Sequence, residues 1–273
     1  MKIFNRAPRR IIAIFGHFPR HIVATIRCFY LFCKPAEVLG CYIRRRNPTS
    51  LKVELRDGLV IQLSGDNSDI VTVFLIFCRY DYGKITPGST VVDIGANVGI
   101  FALYAAWKRA KVVYAYEPSE ESFKLLKKNI VNNAMDKIIF PHKAAVVGKT
   151  TGHVRFSRHS SVFNSIETDH EIHSDYELVP TITLSKIIKD IPSSIFVKMD
   201  CEGGEYDIVL NSEDSVFDKI EDCRLEYHRG PHHKLFDRFI KLGFVRRQFM
   251  DESKRTGYLW LVRPIKGSDS KTL

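Results

Sequence analysis

The sequence has no Cys-x-x-Cys pair, no apolar run of membrane-spanning length, no internal repeat and no low-complexity tract. Each absence closes a class. Six cysteines, at 28, 33, 41, 78, 201 and 223, are spaced neither for a zinc site nor for a disulfide framework, and scattered free thiols fit a reducing cytoplasm. The apolar stretches Ile11–Pro19 and His21–Cys33 are interrupted by Arg20 and Arg27, and neither reaches the roughly 20 residues a membrane-crossing helix needs. No small-residue cleavage site follows the first stretch, so a signal peptide is not expected. His170 and His173 lack a third ligand at metal spacing and read as solvated loop histidines. Acids are nearly missing from the start: residues 1–46 carry ten Lys or Arg against Glu37 alone, so +9 of the formal +10 of this 273-residue chain lies there.

That basic start suits an anionic surface. Two readings of Met1–Cys33 stay open. One is an amphipathic helix lying on a membrane, and the other a helix packed on the body or over the substrate mouth. The organisation expected is a basic extension over 1–50, a β/helical lead-in over 51–88, an α/β domain over 89–265 and a polar tail over 266–273. The location expected is the cytoplasm, with peripheral contact at the inner face of the membrane through residues 1–46.

From Thr90 onward, strand-like and helix-like stretches alternate, which predicts a parallel sheet covered by helices. The spacing gives strands at Thr90–Gly95, Lys111–Glu117, Ile138–Val147, Ser194–Asp200 and Cys223–His228, and a terminal hairpin of Phe244–Phe249 with Tyr258–Arg263. Helices are expected over Asn97–Arg109, after Ser119, and over Leu184–Lys189, Glu205–Asn211 and His233–Lys241. The polar stretch Gly148–Pro180 interrupts the rhythm and reads as a hairpin with a loop around Val162–Ile166. Phe74, Phe77 and Tyr80 fall at helical spacing and are expected in the core.

The most informative run is Val91-Val92-Asp93-Ile94-Gly95-Ala96-Asn97-Val98-Gly99, a buried strand turning sharply into a helix. Gly95 permits unusual dihedrals and a close ligand. A dinucleotide turn would read G-x-G-x-x-G and cradle a pyrophosphate. Here the third glycine is missing, and the carboxylate of Asp93 would repel phosphate while suiting the cationic end of a methionine moiety. Glu117, 24 positions after Asp93, ends the second strand where an acid can accept hydrogen bonds from both ribose hydroxyls.

The runs VVDIGANVGIF, YAYEP, KMDCEGGEYDIV and LEYH resemble those of the FkbM-type methyltransferases, across about Leu51 to Arg263. The resemblance implies a class I, Rossmann-like α/β fold of about seven strands with the last antiparallel, here preceded by an N-terminal helical extension. It implies S-adenosylmethionine as cofactor, with Asp93, Gly95, Asn97 and Gly99 around its methionine end and Glu117 on its ribose. It also implies methyl transfer to a hydroxyl oxygen, often on a sugar, glycan or natural product. Asn164-Ser165 matches a small polar element of the family.

Groups at the carboxyl ends of parallel strands face the ligand crevice. Asp200 and Glu202 leave the fourth strand there and Glu226 and His228 end the fifth, so three carboxylates and an imidazole are expected to form the catalytic rim. His228 or Asp200 is the expected proton acceptor. Glu205 reads instead as a carboxylate in the first turn of its helix. Asp200, Glu202 and Glu226 also suit a hard divalent cation, but spacing does not separate a metal site from a carboxylate-rich substrate site, and no metal is expected. Two rival readings are a nucleotide-dependent oxidoreductase, opposed by the missing glycine, and a non-catalytic binding module. Nucleic acid is not an expected partner, because the basic start lacks interleaved stacking aromatics near Arg44–Arg46.

Overall fold

The structure is a computed structural model that describes residues 18–149, 152–157, 166–167, 176–228, 230–253 and 256–264. Backbone contacts divide it into two units, residues 1–83 and 84–273.

In the first unit, α1 (Phe18–Leu31) and α2 (Pro35–Arg44) precede a short antiparallel pair, β1 (Lys52–Glu54) and β2 (Val60–Gln62). Then comes α3 (Ser68–Val73), which runs into a π-helical turn, Phe74–Arg79. The core of this unit is aromatic. Phe32 meets Phe77 edge-on at 6.3 Å, and Tyr42 stacks on Phe74 at 3.9 Å. Phe74 and Phe77 are buried, as their helical spacing predicts. Arg27, which breaks the apolar run in the sequence, faces this unit's interior: its guanidinium lies over the Tyr80 ring and donates to the Cys78 carbonyl at 3.0 Å. So α1 has one packed face, carrying Ala24 and Cys28. Its other face is exposed and apolar, with Ile22, Val23, Ile26, Phe29 and Tyr30 at 44–77% exposure.

In the second unit the strand order is β12-β13-β11-β10-β3-β4-β5. These are β3 (Thr90–Ile94), β4 (Val112–Tyr116), β5 (Ile139–His142), β10 (Ile195–Met199), β11 (Ile220–His228), β12 (Val245–Ser253) and β13 (Thr256–Val262). The first five are parallel, and β13 lies antiparallel between β11 and β12. This is the seven-stranded class I arrangement with its last strand reversed. Every residue of β3 and of β10 is buried, so these two central strands are covered on both faces. The helices are α4 (Ile100–Trp107), α5 (Glu120–Asn132), α6 (Leu184–Lys189), α7 (Glu205–Asn211) and α8 (His232–Lys241). Ser119 and Thr183 cap α5 and α6 by accepting the amides of Ser122 and Lys186.

Two expected elements differ. The helix read from Asn97 begins only at Ile100, because Asn97 (φ 49°) and Gly99 (φ 90°) hold the preceding loop in left-handed backbone. The single strand read over Ile138–Val147 is two. β5 stays in the main sheet, while β6 (Ala145–Val147) pairs with β9 (Tyr176–Thr183) in a second sheet of order β6-β9-β7-β8. The partners there are β7 (His153–Ser157) and β8 (Ile166–Glu167). Lys143, at the switch, is ion-paired with both Glu120 and Glu177. The hairpin expected in Gly148–Pro180 is the β7–β9 pair. His170, His173, Asn164-Ser165, most of the Val162–Ile166 loop, the first apolar stretch up to residue 17 and the tail from Lys266 lie outside the described residues.

Candidate functional site

The site is built at the carboxyl ends of β3, β4, β10 and β11. Gly95 follows β3 with φ 74°, and a Cβ there would sit 1.9 Å from the Asp200 carbonyl oxygen. The glycine that was expected to admit a ligand is thus also required by the backbone that leaves β10. The Asp200 amide donates to the Ile94 carbonyl at 3.0 Å, which fastens the end of β10 to the end of β3.

Asp93 and Lys198 are register partners on β3 and β10, so both side chains leave the same face of the sheet. Lys198 Nζ lies 3.1 Å from Asp93 Oδ1, 3.8 Å from Asp200 Oδ2, and donates to the Gly95 carbonyl at 2.7 Å. Burial opposes the charge on Lys198, but Asp93 and Asp200 outweigh it and raise the pKa, so the ammonium stays charged. Burial raises the pKa of Asp93 while Lys198 pulls it back. The sequence reading missed Lys198. Its signal is a lone cation in the otherwise apolar strand IFVKM, where a buried Lys needs a partner.

Glu117 ends β4. Its two oxygens accept the amides of Asn97 at 2.7 Å and Ser119 at 2.8 Å, so it clasps the turn after β3 to the start of α5. Burial pushes its pKa up to about 7, against the pull of those two amides. Each carboxylate oxygen keeps lone-pair capacity for a second donor. Both Asp93 carboxylate oxygens and Asn97 Oδ1 are buried without a well-formed hydrogen bond. Beyond the Lys198 ion pair, this turn therefore offers buried acceptors and not a phosphate cradle. A ligand carrying hydroxyl donors and an ammonium fits it.

The rim comes next. Glu205, fully buried at the start of α7, accepts the amides of Cys201 at 2.7 Å and Gly203 at 2.9 Å. It sits in the first turn of its helix as expected, and it also lies 3.3 Å from His228 Nδ1, a contact that sequence spacing did not reveal. Glu226 and His228 are two apart on β11 and share a face. His228 Nε2 lies 3.5 Å from Glu226 Oε1, 3.8 Å from Glu202 Oε2 and 3.9 Å from Asp200 Oδ1. All four rim residues therefore meet at one imidazole nitrogen. Burial alone would lower the pKa of His228, but hydrogen bonds with Glu205 and Glu226 and the charge of Asp200 raise it to about 11. With these partners the ring keeps its proton at neutral pH. The expectation of His228 as a base followed from its ordinary value, which its neighbours shift away. Burial, reinforced by the charge of Asp200, raises Glu202 and Glu226 to about 7, with His228 pulling the other way.

Residues 93–248, more than half of the chain, match the methyltransferase FkbM domain. No curated protein sequence matches the chain. Among solved structures, the ribosomal protein L11 methylase of Lactobacillus delbrueckii subsp. bulgaricus is similar at 16% identity and a TM-score of 0.40, over 67% of this chain and 73% of that one. TrmK of M. capricolum, solved with S-adenosyl-homocysteine, gives 13% identity and a TM-score of 0.41, over 66% and 63% of the two chains. A putative rRNA-methylase from Clostridium thermocellum gives 9% identity and 0.44, over 69% and 94%.

Proposed function

The chain belongs to the FkbM methyltransferase domain family, and from that premise we propose that it methylates a hydroxyl oxygen of a sugar, glycan or natural product. S-adenosylmethionine is the cofactor, and it supplies a methyl group already activated by its sulfonium. Glu117 would hold the ribose and the Asp93–Gly99 turn the methionine end. The observation that carries the reading is the rim, in which Asp200, Glu202, Glu226 and His228 converge beside that turn. Carboxylates facing one another across a partly open site suit the hydroxyls of a polyol, which donate several hydrogen bonds and fix one oxygen in line. Asp200 is the most exposed of the four, with its side chain 28% accessible. Asp200 and Glu202 are the groups assigned to receive the acceptor's proton, while Glu226 and protonated His228 orient it.

The test has two stages. Calorimetry with S-adenosylhomocysteine should give binding that Glu117→Ala weakens by about 1.5–3 kcal/mol, through loss of charge-assisted bonds. Tritiated S-adenosylmethionine offered with a panel of sugars and sugar nucleotides should then yield an alkali-stable O-methyl product. Glu202→Gln or Asp200→Asn should slow that transfer about 10²–10⁴-fold with donor binding kept. Label found on nitrogen, or on added RNA, would remove the hydroxyl assignment.

The basic start is read as an anchor to an anionic membrane surface. Supporting this are the apolar stripe Ile22, Val23, Ile26, Phe29 and Tyr30 on α1 and the exposed Arg44–Arg46 at the C-terminal end of α2. Among the described residues no helix is long and apolar enough to cross a membrane.

A further inference from the structure

We infer that Asp200, Glu226 and His228 form a divalent-cation site, with manganese(II) or a similar ion as ligand. One donor atom from each lies within 4.8 Å of the others, close enough for side-chain adjustment to gather them around a single ion. Donors bonded at about 2.1 Å sit roughly 3.0–3.4 Å apart in octahedral or tetrahedral array. His228 Nε2 lies 3.5 Å from Glu226 Oε1 and 3.9 Å from Asp200 Oδ1, so the first separation closes by about 0.1–0.5 Å and the second by about 0.5–0.9 Å to reach that array.

A cluster of acids would not carry this alone. The second observation is the far side of the ring. His228 Nδ1 faces Glu205, whose carboxylate is fully buried and already accepts two backbone amides. Glu205 can therefore only accept from the ring, which fixes the proton on Nδ1 and aims Nε2 at the carboxylates. A carboxylate behind one nitrogen, with the other nitrogen facing acidic ligands, is how metal-binding histidines are oriented, and a bound ion takes the place of the proton that Nε2 otherwise directs at Glu226. Charge agrees. Asp200, Glu202, Glu205 and Glu226 surround one imidazole, and Lys198, the other cation beside them among the described residues, is shared with Asp93. A mixed imidazole and carboxylate set suits manganese(II) better than magnesium, which prefers oxygen and water.

Three protein ligands leave positions for two acceptor oxygens. Resting on the hydroxyl-methylation reading, this favours a vicinal diol as the acceptor class. With Asp200 engaged by the ion, Glu202, outside the ligand set, is the group left to receive the acceptor's proton.

The experiment uses the full chain, stripped with a chelator and titrated with manganese(II) without donor or acceptor. Free manganese is followed by electron paramagnetic resonance. One ion per chain is expected, with affinity reduced at least about 100-fold in Asp200→Asn/Glu226→Gln. Glu205→Gln touches no ion yet should weaken binding about 10–100-fold by releasing the ring's orientation. If that variant does not fold, His228→Gln replaces it. S-adenosylhomocysteine binding in each variant confirms that the fold is kept. Absence of a stoichiometric site at millimolar manganese, or equal affinity in the double variant, overturns the inference. Neither result depends on which acceptor is methylated, so failure of the hydroxyl reading would leave this titration unchanged.

Discussion

Removing Lys198 should cost more than removing any other single cation near the site, and the cost should belong to a pair. The Lys198 side chain is 4% exposed and that of Asp93 0%, so Lys198→Met would leave a carboxylate in the core facing a methyl group. Breaking one partner of a buried pair costs about 3–5 kcal/mol. That is a large share of the roughly 5–15 kcal/mol by which a domain is stable. Asp93→Asn should cost a similar amount, because an ammonium is then stranded. In Asp93→Asn/Lys198→Met no buried charge remains. The residual cost is the Gly95 carbonyl, which loses the donor at 2.7 Å, worth about 1–3 kcal/mol. The double variant should thus be several kcal/mol more stable than additivity predicts. In urea, with a slope of about 2–3 kcal/mol/M, the single variants should unfold about 1–2.5 M earlier than wild type and the double variant about 0.3–1.5 M earlier. A coupling energy below about 0.5 kcal/mol would refute the pairing.

Two more outcomes are expected. Glu117 has a folded pKa of about 7 against an ordinary 4.5, and ribose hydroxyls need its ionised form. Affinity for S-adenosylhomocysteine should therefore rise about tenfold from pH 6 to pH 8 and then level, and Glu117→Gln should flatten the curve. The same shift acts oppositely on the free protein: its stabilising contribution is complete below pH 4.5 and is lost as pH rises through about 7. A flat wild-type binding profile would exclude a titrating Glu117. Finally, sedimentation with phosphatidylserine vesicles should retain the full chain at low salt and release it as salt rises, and Ile26→Asp/Phe29→Asp should abolish retention. Equal recovery in the supernatant would leave the α1 stripe without a lipid role.

The parallel core was legible because β3 and β10 are short apolar runs bounded by turns, a local pattern. The acids at strand ends were legible because each follows its strand directly. What stayed hidden is non-local. Lys198 looks like an interruption in a strand until register sets it beside Asp93, 105 positions earlier in the chain. Glu205 reads correctly as a helix-start carboxylate, and only the fold brings His228 to its other side. The switch of sheets at Lys143 is likewise hidden in Ile138–Val147, where the sequence does not say that the halves on either side of Pro141-His142-Lys143 have different partners.

The two outermost strands of the seven-stranded sheet carry a consequence for the chain in a crowded cell. An edge strand offers unpaired backbone groups to any other strand it meets, and long flat edges seed aggregates. β5 is four residues long and contains Pro141, which lacks the amide a docking strand would need. β12, at the opposite edge, is longer, but its register slips between Arg246 and Gln248 and again between Asp251 and Ser253. Irregular twist and the adjacent charges of Arg246 and Arg247 make that edge a poor template. Substituting Pro141 with valine would leave the interior untouched, yet it would hand newly made chains a continuous ladder along which to polymerise.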